Sequence, residues 1–371
     1  MAYGKHSTRM LAGAALAMTA TLAAAGCTSS PAASTGTGAS GTSAGPTVTA
    51  AQARQVFGSY VAVADRAAAS DDTSLALSRV TGVQKATITA QLKAAKTGAG
   101  GLARYRYGTP TFYLTPPDGY PLWFVASVQR TLVGQPGTPG GPAGTAGVPL
   151  AASGRVLMVF EQGSKDGTWL VASTSQLPPG GSVPPLATNS AGYVTTVPLT
   201  SGAQLAQPEI AGPLQAAVVD DGPASPAAKV VAAGPLTTGI YAAARSPATG
   251  LTAPPGDIYQ WELEGSGYHR WALRTADGGA LVFYGMYLDS TVEVPALLNK
   301  GYPINPGPPI TVPGYLSFLL TSGQHVARTR LEDEQVLSFA AVDPPAGAGG
   351  IGTEKITVIA IGGGLTYAGA S

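Results

Sequence analysis

His269-Arg-Trp-Ala-Leu-Arg274, the turn Ala276-Asp-Gly-Gly279 and the apolar stretch Leu281-Val-Phe-Tyr-Gly-Met-Tyr-Leu288 decide the reading of the fold. Two strand-length runs around Asp-Gly-Gly are hairpin chemistry, because glycine supplies the positive φ that a tight reversal needs. Just upstream, Ile258-Tyr-Gln-Trp-Glu-Leu-Glu264 alternates apolar Tyr259, Trp261 and Leu263 with Gln260, Glu262 and Glu264. A period of two puts these sets on opposite faces, so this strand has one buried and one wet face. Working outward, the same pattern predicts strands over 336–342 and 355–361. On the N-terminal side it predicts strands over 105–114, 122–133, 155–161 and 168–175, with turns at Pro117-Asp-Gly119 and Lys165-Asp-Gly167 and a Gly/Pro loop over 134–147.

Helices precede the strands in each half. Thr49-Ala-Ala-Gln52 fits a capping box, in which the Thr hydroxyl and the Gln side chain satisfy free amides of a first helical turn. Val56, Tyr60, Val63 and Ala67 follow at helical spacing, as do Phe57, Val61, Ala64 and Ala68. A second helix carries Ile88, Leu92 and Ala95 in phase and ends at Gly98. In the second half, Ile210, Leu214 and Val218 mark a helix, Ser225-Pro226 is a cap followed by a first-turn proline, and a short helix covers 238–244. Helices followed by four or more antiparallel strands thus recur at an offset of roughly 155 to 160 residues. The expected fold class is α+β, with two tandem modules, each a pair of helices packed on a curved antiparallel sheet, after a disordered N-terminal tether. The expected boundaries are a signal over 1–27, the tether over 28–47, a first module over 48–177, a breaker-rich linker over 178–198 and a second module over 199–371.

The N-terminus locates the protein. Lys5, His6 and Arg9 precede a run over 10–25 that is apolar apart from Thr19 and Thr21, and the run closes at Leu22-Ala-Ala-Ala-Gly-Cys27, which holds the single cysteine. This arrangement resembles the signal and lipobox of a bacterial lipoprotein. The resemblance implies lipidation at Cys27, removal of the preceding segment and residence at the outer face of the cytoplasmic membrane. The run is shorter and richer in alanine than the roughly 20 strongly apolar residues of a spanning helix. Residues 28–47 are only Ser, Thr, Gly, Ala and Pro, which cannot bury enough surface to offset chain entropy. Without the signal the chain carries 19 basic and 20 acidic side chains. Near-neutrality argues against nucleic acid as a partner and against a polybasic grip on lipid headgroups. One cysteine excludes an internal disulfide and a Cys-rich zinc site.

The helix pair on a curved sheet resembles the nuclear-transport-factor-2-like and cystatin-like architectures. The chain also resembles a group of uncharacterised actinobacterial lipoproteins, through Thr49-Ala-Ala-Gln-Ala-Arg54, Phe112-Tyr-Leu, Trp123-Phe and Leu273-Arg-Thr-Ala-Asp-Gly-Gly-Ala-Leu-Val-Phe283. That resemblance implies organisation and location and carries no chemistry. The expected function is a non-catalytic, lipid-anchored envelope protein that binds a protein partner or an apolar ligand. The alternatives are an enzyme with a pocket of the nuclear-transport-factor-2-like kind, using His269 as acid or base, and an extracytoplasmic lipid carrier with a large apolar cavity. No catalytic, metal or cofactor motif is found, and no cofactor is expected.

The side chains that could carry chemistry are few. Only His269 and His325 follow the signal. His269 shares the strand phase of Trp271 and Leu273, which turns it inward as a hydrogen-bonded core histidine or as a tuned acid or base. His325 follows Thr321-Ser-Gly-Gln324 in a turn. Glu262 and Glu264 lie on a wet face, and Arg328-Thr-Arg330 with Glu332-Asp-Glu334 reads as a self-compensating exposed hairpin or turn rather than a ligand clamp. Gly347-Ala-Gly-Gly-Ile-Gly352 matches the dinucleotide glycine pattern but precedes a strand, where the chemistry needs a helix. Tyr105, Tyr107, Phe112, Tyr113, Tyr120, Trp123 and Phe124 crowd the first half; Tyr259, Trp261, Tyr268, Trp271, Phe283, Tyr284 and Tyr287 crowd the second. Such aromatics line a pocket or fill the helix-to-sheet core, and Trp261 and Trp271 are the pocket candidates.

Overall fold

In a computed structural model of the chain, the described residues are 47–97, 101–133, 151–245, 257–294, 298–299, 302–303, 309–320, 324–347 and 354–371. The signal, Cys27, tether residues 28–46, Gly98 and the 134–147 loop lie outside them. Helix α1 (Ala50–Ser70) starts with the expected capping box closed in both directions: the Gln52 amide donates to Thr49 Oγ1 at 3.1 Å, and the Thr49 amide donates to Gln52 Oε1 at 3.4 Å. Its buried stripe is Ala53, Phe57, Tyr60, Val63 and Ala67, and it stops at Asp71 in the left-handed region. Helix α2 (Thr73–Leu77) is capped by Asp72, whose carboxylate accepts from the Leu75 amide at 2.9 Å. Helix α3 (Gly82–Lys96) follows, and the second half supplies α4 (Ala211–Asp221) and α5 (Thr238–Ala244).

The strands are β1 (Tyr105–Tyr107), β2 (Thr111–Leu114), β3 (Leu122–Leu132), β4 (Ser153–Gln162), β5 (Leu170–Gln176), β6 (Ile258–Gly265), β7 (Trp271–Arg274) and β8 (Ala280–Glu293). Two short ladders, β9 (Leu298–Asn299) with β10 (Tyr302–Pro303) and β11 (Ile310–Thr311) with β12 (Val326–Ala327), lead to β13 (Arg330–Asp343) and β14 (Thr357–Ala370). Ten strands form one antiparallel sheet in the order β1-β3-β4-β5-β14-β13-β8-β6, with β2 also on β3 and β7 also on β8. The α+β class and the antiparallel pairing are as the sequence predicts, and both halves contribute helices and strands. The two sheets expected of tandem modules are one continuous sheet instead, joined where Ile361 of β14 pairs with Gln176 of β5.

Glycine makes that junction possible. A Cβ at Gly362 would overlap the Thr174 carbonyl, and Gly363, at φ +101°, sits against the Val336 carbonyl. Buried Ser338 donates from Oγ to the Thr174 carbonyl at 2.8 Å, and Ser175 Oγ donates to Ser338 Oγ at 3.1 Å. The breaker-rich stretch over 178–198 does not swing free either. Leu186 bridges Thr275 and Thr196 bridges Leu273, so this stretch runs along β7, while Val194 is buried.

Alternation along the strands builds two layers of core. Phe124, Ala126, Val128, Val156, Met158 and Phe160 pack beneath Phe57 and Tyr60 of α1, with the Phe124 and Phe160 rings stacked at 4.8 Å. Fully burying such a side chain stabilises by about 1.5–3 kcal/mol. The intervening Val125, Leu157 and Val159 pack with Leu273, Leu281, Phe283 and Ala340 of strands that are not their neighbours in the sheet. The sheet therefore curls until the faces of its two halves meet. Val218 and Val219 of α4 cover Val282, Tyr284, Met286 and Phe339. Helix α3, from the first half, packs Ala90 and Ala94 against Val292, Leu331 and Ala368 of the second, and Lys93 Nζ donates to the Leu319 carbonyl at 2.7 Å. Residues 44–371 cluster into one compact unit as a result.

Candidate functional site

A cleft of about 320 Å³ opens where the halves meet. It is lined by the first residues of α3 (Thr81, Gly82, Val83), by Glu161 at the end of β4, by Ala172 and Ser173 of β5, by the 267–269 loop, and by Trp271, Tyr284 and Gly285. Backbone interactions fix each wall. The Thr81 amide donates to the Val171 carbonyl and the Val171 amide to the Arg79 carbonyl, each at 2.9 Å, which pins the start of α3 to β5. The register of β4 with β5 slips between Val159 and Phe160, so Ala172 is the extra residue of a bulge beside the cleft. On the other wall, Ser266 Oγ donates to the Gly285 carbonyl at 2.7 Å and accepts from the Tyr268 amide at 3.3 Å, which ties the loop to β8. A Cβ at Gly285 would lie 2.8 Å from Val83 and 2.9 Å from Tyr268, so glycine there lets α3 and the loop approach β8.

The polar content of the cleft is specific. His269 Nδ1 lies 3.4 Å from Glu161 Oε2, with the histidine side chain 50% and the glutamate 19% exposed. The His269 ring is 5.0 Å from the Trp271 ring. Ser173, 3% exposed, and Trp271, 6% exposed, are buried, yet Ser173 Oγ and Trp271 Nε1 have no hydrogen-bond partner among the described residues. Leaving a buried donor unpaired costs about 1–3 kcal/mol; both atoms are enclosed behind the cleft wall, and Trp261 Nε1, away from the cleft, is in the same situation. Helix α3 adds more donors. Thr81-Gly-Val-Gln84 reads as a capping box, but Thr81 makes no side-chain cap and Gly82 takes φ +53°. The first-turn amides, which have no intrahelical acceptor, are thus left without the threonine cap at the cleft wall.

The sequence candidates separate on this geometry. His269 and Trp271 come together at the cleft, but His269 lies at its half-exposed rim, just before β7, where strand phase had turned it into the core. Trp261 is elsewhere, on β6, half-buried against the α4 core. Its Nε1 likewise has no partner among the described residues. Most first-half aromatics pack in or against the core, with Tyr107 and Phe112 edge-on to Phe57 of α1 at 5.7 and 6.1 Å, while Tyr120 is exposed. His325 is exposed, outside the cleft. Glu161, Ser173, Thr81 and Gly285 were not legible as site residues; the Thr81-Gly-Val-Gln84 spacing is the one signal that could have marked the start of α3.

A second electrostatic feature corrects another expectation. Glu332-Asp-Glu334 is part of β13, not an exposed turn, although Arg330 and Glu332 do pair at 2.8 Å. Cross-strand register sets Glu262, Asp289 and Glu334 in one row over β6, β8 and β13. Burial, then the charges of Glu334, Glu264, Glu262 and Glu332, push Asp289 up to about 6. Asp333 is buried, and burial together with Asp289 raises it to about 7. Among the described residues, no group of three or more His, Cys, Asp or Glu side chains is placed to hold a metal ion.

Fold and cleft define an α+β protein with a ten-stranded curled antiparallel sheet whose two halves border a small cleft of mixed lining. The chain belongs to the family described as a domain of unknown function, DUF8094, which it matches over residues 44–368. It is similar to an uncharacterised lipoprotein of Streptomyces coelicolor, 28% identical over 252 residues, covering 64% of this chain and 66% of that protein. An uncharacterised lipoprotein of Streptomyces avermitilis is 26% identical over 246 residues, covering 64% and 65%. The matched part therefore spans just under two thirds of each relative's length. No solved structure matches the chain. No helix among the described residues is long and apolar enough to cross a membrane.

Proposed function

We propose that this chain is a lipid-anchored envelope protein that binds a small ligand in the cleft between its halves and does not convert it. The anchor reading rests on the lipobox-like run ending at Cys27 and on the lipoprotein names of both relatives. A chain carrying two or more acyl groups is held stably at a membrane, so Cys27 alone would suffice. Cys27→Ala is expected to release the protein from the membrane fraction or leave it unprocessed; normal processing with retention on the membrane would overturn the anchor. The observation that supports ligand binding is the cleft itself, about 320 Å³ between the two halves, with the His269–Glu161 contact at its rim. The lining is mixed, with Val83, Tyr268, Trp271 and Tyr284 beside Glu161 and His269.

The contact of His269 with Glu161 favours one second reading, general acid or base catalysis in the same cleft. One experiment separates the two. The protein is incubated with a small-molecule extract of native envelopes and followed by NMR and native mass spectrometry. The binding reading expects a retained, chemically unchanged ligand; conversion of a component that stops in His269→Ala would replace it with the catalytic reading, and neither retention nor conversion would overturn both.

A further inference from the structure

The stretch over 178–206 is a strap between the halves, and a buried carboxyl fastens its far end. The Val194 amide donates to the Leu114 carbonyl at 2.8 Å and the Val197 amide to the Ala272 carbonyl at 2.9 Å, so the strap ties the first half to the second. At the far end Gln204 bridges Pro345, the Leu205 amide donates to the Pro344 carbonyl at 2.7 Å, and the Ala206 amide donates to Asp343 Oδ1 at 3.3 Å. Asp343 is 0% and Gln204 2% exposed, yet Asp343 Oδ2 and Gln204 Oε1 have no hydrogen-bond partner among the described residues. Both atoms are acceptors, so this fastening lacks a donor. An ionised carboxylate cannot supply one, whereas a protonated carboxyl donates from one oxygen and still accepts the Ala206 amide at the other.

We propose that Asp343 is a pH-sensitive latch: in the closed strap it carries a proton on Oδ2, donated toward Gln204 Oε1, and loss of that proton loosens the strap over residues 204–206. Asp343 stands two residues along from Pro345, the bridge partner of Gln204, which is the diagonal position that a long side chain reaches across an antiparallel pair. Gln204 Nε2 donates to the Gly278 carbonyl at 3.4 Å, and a Cβ on the next residue, Gly279, would overlap the Asp343 carbonyl, so both side chains belong to one small region. Burial lifts the Asp343 carboxyl to about 7, against the pull of the Ala206 and Leu205 amides. The charged groups on the surrounding elements are engaged elsewhere. The Asp277 carboxylate accepts from Thr275 Oγ1 and the Gly279 amide, Arg274 donates to the Gly278 carbonyl, and Lys355 donates to the Ala228 carbonyl. Residues 196–207 and 344–347 carry no charge, and Glu209 is the nearest acid beyond the strap. A carboxyl that binds its proton more tightly in the closed strap than in the open one favours closure at low pH. That preference decays as pH rises from about 4 to about 7 and is gone above it.

Amide hydrogen exchange of the chain, followed by NMR from about pH 5 to about pH 8.5 and corrected for the intrinsic pH dependence of exchange, tests the latch. Protection of the Leu205 and Ala206 amides should fall roughly tenfold per pH unit up to about 7 and then level off. The Val194 and Val197 amides, elsewhere on the strap, should show no such trend. Asp343→Asn, which is neutral at every pH and offers an N–H to Gln204, should keep the low-pH protection throughout. Where that variant does not fold, the side-chain carboxyl carbon of Asp343 in the unaltered chain reads the proton directly: a midpoint near 7 upholds the latch, and a carboxylate already ionised at about pH 5 overturns it. A flat profile at Leu205 and Ala206, or an equal trend at Val194 and Val197, would overturn it as well.

Discussion

Helices α1 and α3 begin with the same sequence signature, Thr-x-x-Gln, and end up with opposite chemistry at their first turns. At Thr49 both arms of the box close, and the turn is self-sufficient. At Thr81 neither is needed to hold the helix, because the preceding residues pair with β5 through Val80 and Val171, and Gly82 turns the chain into the helix at φ +53°. A threonine hydroxyl is a local solution to orphan amides. Where tertiary pairing already places the helix, those amides are free for another acceptor, and that start is the one facing a cleft.

The largest expected effect attacks the α3 start. Gly82→Val combines a left-handed φ with a Cβ only 3.1 Å from the Ala172 carbonyl. It should cost about 2–4 kcal/mol, read as a fall in denaturation midpoint. In α1, Gly58 has nothing within 4 Å of its would-be Cβ, so Gly58→Ala should instead stabilise by about 0.5–1 kcal/mol. Equal penalties at both glycines would erase the difference between the two regions.

An effect of intermediate size comes from pH and should leave the comparison intact. Asp333 and Asp343 are buried in β13, and burial raises each to about 7. A carboxyl whose folded value exceeds its unfolded one binds protons more tightly when folded, so stability falls as pH rises from about 4 to about 7. Acidification from neutral to about pH 5.5 should therefore raise the melting temperature by roughly 3–6 °C, and Asp333→Asn should reduce that gain. A flat pH profile would mean these carboxylates are not desolvated.

Smaller still are the cap substitutions. Thr49→Ala should cost about 1 kcal/mol, whereas Thr81→Ala should cost less than about 0.3 kcal/mol in the unliganded protein. A similar cost at both positions, in urea titrations at one pH, would show that the α3 cap is closed in solution.

Much of this molecule was legible without coordinates, and the losses have physical causes. The capping box at Thr49, the helix over 238–244, the alternation in β6 and the Asp277 turn all rest on contacts within a few residues, which a linear pattern records. The single sheet was not legible, because Gly362-Gly-Gly364 looks like a strand terminator until the close approach of Thr174 and Val336 gives those glycines a purpose inside β14. Asp333 was misplaced because a charged run looks exposed when only its own strand is considered. At the cleft, Trp271 and His269 were visible by residue type; Ser173 and Glu161 were not, since each gains meaning only from residues about 100 positions away.

The most direct test of the central claim is an amide-resolved NMR titration of the chain with the small-molecule extract of native envelopes. The account predicts that the amides of Gly82, Val83 and His269, which line the cleft, shift together along one saturable curve, while those of Ala50, Ala51 and Gln52 at the closed start of α1 stay still. Shifts of equal size at both helix starts, or saturation elsewhere with the α3 amides unmoved, would contradict it.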